Sequence, residues 1–186
     1  MNLDTQLSDD QILLRPPKLS DAPAIHQAVR ESLAELHPWM DWATDAYNEA
    51  STQRWLEHVL LAWEHSSSFH FAITDAFNGQ YIGGCSVDGI NEKDRFCNLG
   101  YWVRTSRIGQ GFASRATRLA AKFAFETVRL VRAEIVIAEE NLASQRVAEK
   151  AGAHYESTKF NRIVVRSDVH AGVIFSLTPA DFGLTS

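Results

Sequence analysis

RTSRIGQGFAS, from Arg104 to Ser114, stands between a strand-like run, FCNLGYWV (96–103), and a helix-like run, ASRATRLAAKFAFETV (113–128). Gly109 and Gly111 flank Gln110, with Arg104 and Arg107 before them and Arg115 after. A helix start exposes unpaired N–H groups and the positive end of its dipole, and glycine lets a ligand approach the backbone closely. A flexible, positive turn at such a start therefore points to a phosphate compound. Two common phosphate motifs do not apply. A Walker A loop needs Gly-Lys after its glycines, and none follows here. A dinucleotide fold needs GxGxxG early in a parallel βαβ unit; here the third glycine is missing.

Outward from the turn, the chain reads as strands and helices in mixed order. ILLRP (12–16) is a first strand stopped by Pro16 and Pro17. LSDAPAIHQAVRESL (19–33) reads as a helix capped by Ser20 or Asp21, and the pattern breaks at Pro38. A second helix is predicted from about Ser51 to His65, with Trp55, Leu56, Val59, Leu60 and Trp63 at helical spacing. SFHFAIT and QYIGGCSVDGI flank DAFNG, which carries the Asn-Gly hairpin signal. With FCNLGYWV they predict an antiparallel meander. The helix over 113–128 sets Leu119, Ala120 and Phe123 on one face. AEIVIA (133–138) is a short buried strand, and NLASQRVAEKAG (141–152) a helix stopped by Gly152. Two closing strands fall near 154–161 and 169–177. Without linker or repeat, residues 1–186 read as a single α/β (α+β) domain with a mixed, largely antiparallel sheet flanked by helices.

Composition narrows the class. Hydrophobic residues make up 45% of the chain and charged ones 22%, ordinary values for a globular protein. The polar, acidic start MNLDTQLSDD reads as lacking a secretory signal, and no stretch approaches the about 18 apolar residues of a membrane span. Cys85 and Cys97 show neither CxxC nor zinc-ligand spacing, so no metal is expected, and a reducing cytoplasm is the expected setting. A net charge of −5 argues against a general nucleic-acid binder. Residues 1–92 carry 4 Lys/Arg against 14 Asp/Glu, whereas residues 93–186 carry 14 against 9. One half suits a cation and the other a polyanion.

The ordered set LLRPPKLSDAPAI, PWMDW, GGCSVDGI, LGYWV, GQGFAS and NLASQRVAEKAGA resembles the GNAT acyl-CoA N-acetyltransferases. Within them it is most similar to the branch around the RimJ and RimL ribosomal-protein acetyltransferases. The resemblance spans nearly the whole chain. It implies acetyl-CoA as cofactor, with its pyrophosphate on the turn formed by Ile108, Gly109, Gln110, Gly111, Phe112, Ala113 and Ser114. It further implies that the pantetheine arm pairs with the backbone of Tyr101, Trp102 and Val103, and that Asn141 serves that arm. Arg107 and Arg115 are the nearest candidates for side-chain phosphate contacts. The position ahead of the glycines that often carries Gln or Arg in the family is Ile108.

The catalytic positions depart from the family. The strand Glu that often serves as base corresponds to Asn98, which can position water but cannot take a proton. The Tyr that often protonates the departing thiolate corresponds to Ala148. In the RimL-like branch a Ser in the NxAS segment can stand near the thiol, and Ser144 matches it. The Glu of that branch near the penultimate strand has no counterpart in NRIVV (161–165). Asp88, His70 and Glu92 remain as proton acceptors that the sequence does not separate. A weak base favours an N-terminal α-amine, whose pKa lies about 2.5 units below that of lysine, worth about 3.4 kcal/mol.

The resemblance places the acceptor against HPWMDWATDAYNEAS (37–51). There Trp39 and Trp42 are expected to wall a slot, and Asp41 and Asp45 to draw in an ammonium group. The leading expectation is acetyl transfer to a protein or peptide N-terminus. A small amine acceptor and a non-catalytic acyl-CoA sensor stand as alternatives. No nucleic acid or membrane partner is expected, and a homodimer is compatible with the resemblance.

Overall fold

The computed structural model describes residues 2–185. Leu7–Ser8 (β1) pairs antiparallel with Ile12–Arg15 (β2), whose Ile12 and Leu14 are fully buried. The single helix expected over 19–33 is divided. A 3-10 turn at Leu19–Asp21 precedes Ala22–Glu31 (α1), and Leu33–Leu36 (α2) follows. Asp21 does not cap α1, because Arg15 takes both its carboxylate oxygens at 2.7 and 2.8 Å. The break falls at the fully buried Ser32, whose hydroxyl donates to the Ala28 carbonyl and accepts the Thr105 N–H. That hydroxyl ties the helix to the chain leading into the glycine turn.

Glu49–His65 (α3) starts two residues earlier than the periodicity implied, because the Asn48 side chain accepts the Ser51 N–H at 3.0 Å and caps it. Its Trp63 is wholly buried, stands edge-on to Phe69 and Phe71, and donates from Nε1 to the His70 carbonyl. The predicted meander is present as Phe69–Asp75 (β3), Tyr81–Asn91 (β4) and Phe96–Val103 (β5). Phe112–Glu126 (α4), Arg132–Ala138 (β6) and Leu142–Lys150 (α5) follow. The closing strands are His154–Val165 (β7), longer than expected, and Asp168–Leu177 (β8).

Among the described residues the eight strands lie in the order β1-β2-β3-β4-β5-β6-β8-β7, and β5 with β6 is the one parallel pair. The architecture is the mixed, largely antiparallel sheet that the sequence implied. Helix α4 covers one face with Phe123 among Trp63, Phe69 and Phe71, and α1 with α3 covers the other over Ala72 and Tyr81. β4 is consequently buried from Tyr81 to Val87 without alternation, as expected of a strand covered on both faces. Among the described residues no helix is long and apolar enough to cross a membrane.

Candidate active site

The parallel pair opens. β5 and β6 are in register only from Phe96, Cys97 and Asn98 to Arg132, Ala133 and Glu134. Beyond Asn98 the β5 edge facing β6 has no strand partner among the described residues, while Tyr101, Trp102 and Val103 stay paired to β4 on the other edge. Strand groups left this way want a partner. Helices α4 and α5 begin beside the opening, after Gly111 and Asn141 respectively.

Gly109 and Gly111 adopt φ of +76° and +84°, in the left-handed region where a Cβ is disfavoured. A Cβ built on either meets nothing within 4 Å, so the surface beyond the turn is open. The N–H groups of Gly109, Gly111, Phe112, Ala113 and Ser114 find no acceptor among the described residues. Helix α4 has neither a side-chain cap nor an acidic residue in its first turn. A concave run of free N–H groups at a helix start binds anions. The open strand edge and the free N–H groups thus fit the extended arm and the phosphates of acetyl-CoA.

A groove of about 640 Å³ follows this surface. Of the residues expected to hold the cofactor, all but two line it; one exception is Gln110, whose side-chain amide turns back to the Ser106 carbonyl. Arg107 lines it while holding the Gln80 side chain and facing Asp75. Arg115 does not, because it is paired with Asp9 and Asp10 at 2.9 and 2.8 Å. Arg146 and Lys150 line the groove instead. The sequence reading missed both, although their spacing of four on a helix that starts at the site was the available signal.

A second cavity of about 670 Å³ has aromatic walls that include Trp42, Tyr47, Trp55 and Trp102. The two spaces share Met40, Tyr101 and Trp102. Of the residues expected around an acceptor, Trp42 lines this cavity and Trp39 lines the groove. Asp41 and Asp45 line neither. The Asp41 carboxylate accepts the Arg166 N–H, which joins the 37–48 segment to the β7–β8 turn. Asp45 is exposed and offers only its carbonyl, to Arg30.

Ser144 lies in the first turn of α5, its N–H held by the Asn141 side chain at 3.0 Å. Its hydroxyl donates to the Tyr101 hydroxyl at 3.1 Å, and Tyr101 donates in turn to the Ser144 carbonyl at 2.8 Å. Burial pushes the Tyr101 phenol up to about 12, partly offset by that serine, so it stays protonated through the neutral range. This side-chain contact joins residues 43 apart, and no local pattern announces it. Asn98 lines neither space; its amide donates to Asp88 Oδ1 at 3.2 Å, and Asp88 is the residue that faces the second cavity. His70 faces it too, whereas Glu92 lies exposed in the β4–β5 turn. Ala148 is fully buried.

The glycine turn is anchored from behind. Arg104, only 8% exposed, donates to Glu31 from Nε at 3.0 Å and from Nη2. The other Glu31 oxygen accepts the Ser106 N–H at 2.7 Å. The Arg104 and Ser106 bonds hold the Glu31 carboxyl down at about 2. A carboxyl lowered in the folded state stabilises it above the ordinary value near 4.5 and loses that contribution as pH falls toward 2. Glu31→Gln is therefore expected to lower Tm by roughly 5 °C at pH 7, corresponding to about 2 kcal/mol for a pair still partly open to water. The deficit should be constant above pH 5 and shrink below 4.5 in melts recorded across that range. A deficit independent of pH would detach it from this ionisation.

A sheet that parts between parallel neighbours, with an uncapped helix start beside the gap and a second cavity meeting it, defines a transferase for an extended acyl carrier. The profile described as an acetyltransferase (GNAT) domain matches residues 11–154, and the chain belongs to that family. The "Probable N-acetyltransferase YjcK" of Bacillus subtilis is 28% identical over 154 residues, covering 81% of this chain and 84% of that protein. A solved chain described as a "putative ribosomal-protein-serine acetyltransferase" of Vibrio cholerae superposes with a TM-score of 0.85 at 27% identity, covering 96% of this chain and all of that one. RimJ of Mycobacterium smegmatis, in complex with a CoA disulfide, superposes with a TM-score of 0.84 at 21% identity, over 97% of this chain and 89% of its own. The protein is an acyl-CoA N-acetyltransferase, and acetyl-CoA is its acyl donor.

Proposed function

We propose that this enzyme acetylates the α-amine of a protein or peptide N-terminus, of the ribosomal-protein type. The observation that carries this reading is the meeting of the two spaces at Tyr101 and Trp102. A donor laid along the groove and an amine entering the aromatic cavity arrive at one strand edge. Proximity of that kind accounts for a large share of a transfer reaction's acceleration. The similarity to the Vibrio cholerae chain supports a protein acceptor. So does the amine chemistry, because an α-amine is neutral in appreciable fraction near pH 7.5 and lysine is not.

In this reading acetyl-CoA supplies a thioester, and the protein binds, orients and moves protons. The free N–H groups from Gly109 to Ser114 receive the pyrophosphate, with Arg107 beside them. The open edge of Tyr101–Val103 pairs with the pantetheine, and Asn141 orients it. Ser144, beside Tyr101, turns its single hydroxyl proton from the Tyr101 oxygen to the departing sulfur and donates a hydrogen bond there. Trp42 contributes to the acceptor walls. The buried, unpaired thiols Cys85 and Cys97 suit a reducing cytoplasm.

Thiol release from acetyl-CoA across a panel of acceptors tests the assignment. Ser- and Ala-starting peptides are set beside polyamines and aminoglycosides, with the acetylated atom located by mass spectrometry. Turnover of the peptides alone is expected. Turnover of a polyamine or an aminoglycoside with the peptides inert would overturn the N-terminal reading.

A further inference from the structure

The strand position that the resemblance gives to a base holds Asn98, and the second cavity contains a carboxylate in no ion pair among the described residues, although Arg54 lines the same space. Asp88 accepts Ser86 Oγ on Oδ2 at 2.7 Å and the Asn98 amide on Oδ1 at 3.2 Å, and no ion pair involves it among the described residues. Both donors are neutral, so hydrogen bonds orient the carboxylate without an ion pair. Across the strands, His70 is in register with Ser86, and Ser86 with Gly100. Alternation puts Ser86 and Asp88 on one face of β4, with His70 beside them on β3. Gly100 keeps the space in front of them clear: a Cβ there would lie 2.8 Å from Ser86 Oγ and 3.7 Å from Asp88 Oδ2.

His70 is half-buried, stands edge-on to Trp55, and has no hydrogen-bond partner on either ring nitrogen among the described residues. The titratable groups around it are Tyr47 from the segment before α3, Arg54 and His58 from α3, Asp88 and Cys85 from β4, and Tyr101 from β5. Burial lowers its proton affinity below that of a free imidazole; Asp88 opposes this and His58 adds to it. A neutral imidazole with free nitrogens beside an unpaired carboxylate, inside aromatic walls, is a receptor for an ammonium group that must shed a proton.

We propose that Asp88 binds the ammonium form of the acceptor and that His70 takes its proton. The inference rests on the second cavity being the acceptor site of the acetyl transfer described above. The nitrogen sheds two protons in all. The first passes to His70 and on to solvent, freeing the lone pair that forms the C–N bond as the C–S bond breaks. The second, lost as the amide forms, balances the S–H of the released coenzyme A thiol.

Two readouts test this on the intact protein. Trp42, Trp55 and Trp102 line the cavity, so intrinsic fluorescence reports binding of a Ser-starting peptide amide in the presence of coenzyme A. Asp88→Asn is expected to weaken that binding about tenfold and to leave coenzyme A affinity unchanged; equal peptide affinity would overturn the role of Asp88. His70→Gln is expected to lower kcat about 100-fold at pH 7, with recovery as pH approaches 9 and the amine deprotonates unaided. In the parent enzyme the acid limb of kcat should lie below pH 6.5, the ordinary histidine value. A His70→Gln variant with the parent's kcat and pH profile would overturn the role of His70. Peptide binding that is lost in Asp88→Asn, in an enzyme that releases no thiol with any peptide, would sink the N-terminal reading and still support the ammonium site.

Discussion

Gly111→Arg is expected to weaken acetyl-CoA binding about 100-fold or more, while lowering Tm by only a few degrees. Gly111 sits at φ +84° at the start of α4 and lines the groove. A side chain there occupies the space above the free N–H groups and denies it to a pyrophosphate. Each charge-assisted hydrogen bond so lost is worth about 1.5–3 kcal/mol, and about 2.7 kcal/mol suffices for 100-fold. The left-handed conformation costs a non-glycine residue about 1–2 kcal/mol, which sets the small effect on stability. Titration calorimetry with coenzyme A measures the first effect and thermal unfolding the second. Gly111→Ala imposes the backbone strain with little bulk, and it should lose much less affinity than the arginine variant. Unchanged affinity in Gly111→Arg would remove the turn from the cofactor site.

Ser144→Ala is expected to lower kcat about 100-fold with the Kd for acetyl-CoA near that of the parent. Ser144 lines the groove with its hydroxyl on Tyr101, and in the proposed mechanism its loss leaves the departing sulfur without a donor. Tyr101→Phe removes the group that accepts from the Ser144 hydroxyl and donates to its carbonyl. It should lower kcat less, about tenfold, because the serine remains but is no longer held. Single-turnover measurements with saturating peptide separate this chemistry from product release. Unaltered turnover in Ser144→Ala would take the serine out of the mechanism.

The residues that line the groove were more legible in the sequence than those of the second cavity, and the reason is physical. A phosphate nest is made of consecutive backbone N–H groups, so its residues are neighbours in the chain, and the glycines that permit it are visible as glycines. Asn141 was equally readable, because a cap acts on its own helix three residues away. The second cavity draws on α1, α3, β3, β4 and β5, and its members share no spacing. Asp41 and Asp45 looked like an ammonium site because they are acidic and near two tryptophans. Asp41 instead serves the β7–β8 turn, a segment more than 120 residues distant. Arg115 likewise looked available for phosphate until Asp9 and Asp10 were found on it.

What the sequence determined by itself is what short-range forces decide. It set most of the strands and their hairpin turn, most of the helices though not all their ends, the glycine turn before α4 and the family to which those pieces in that order belong. Left-handed glycines, side-chain caps and the alternation of apolar residues act within a few residues, and they leave their mark there. The tertiary structure alone decided that β8 enters the sheet between β6 and β7, and that β5 and β6 part after Asn98. It also decided that Tyr101 meets Ser144, and that Asp88 rather than Asn98 faces the second cavity. Those outcomes depend on which strand edges pair and which faces are covered. That choice is made by the summed burial of the whole core, and no single stretch of the chain carries it.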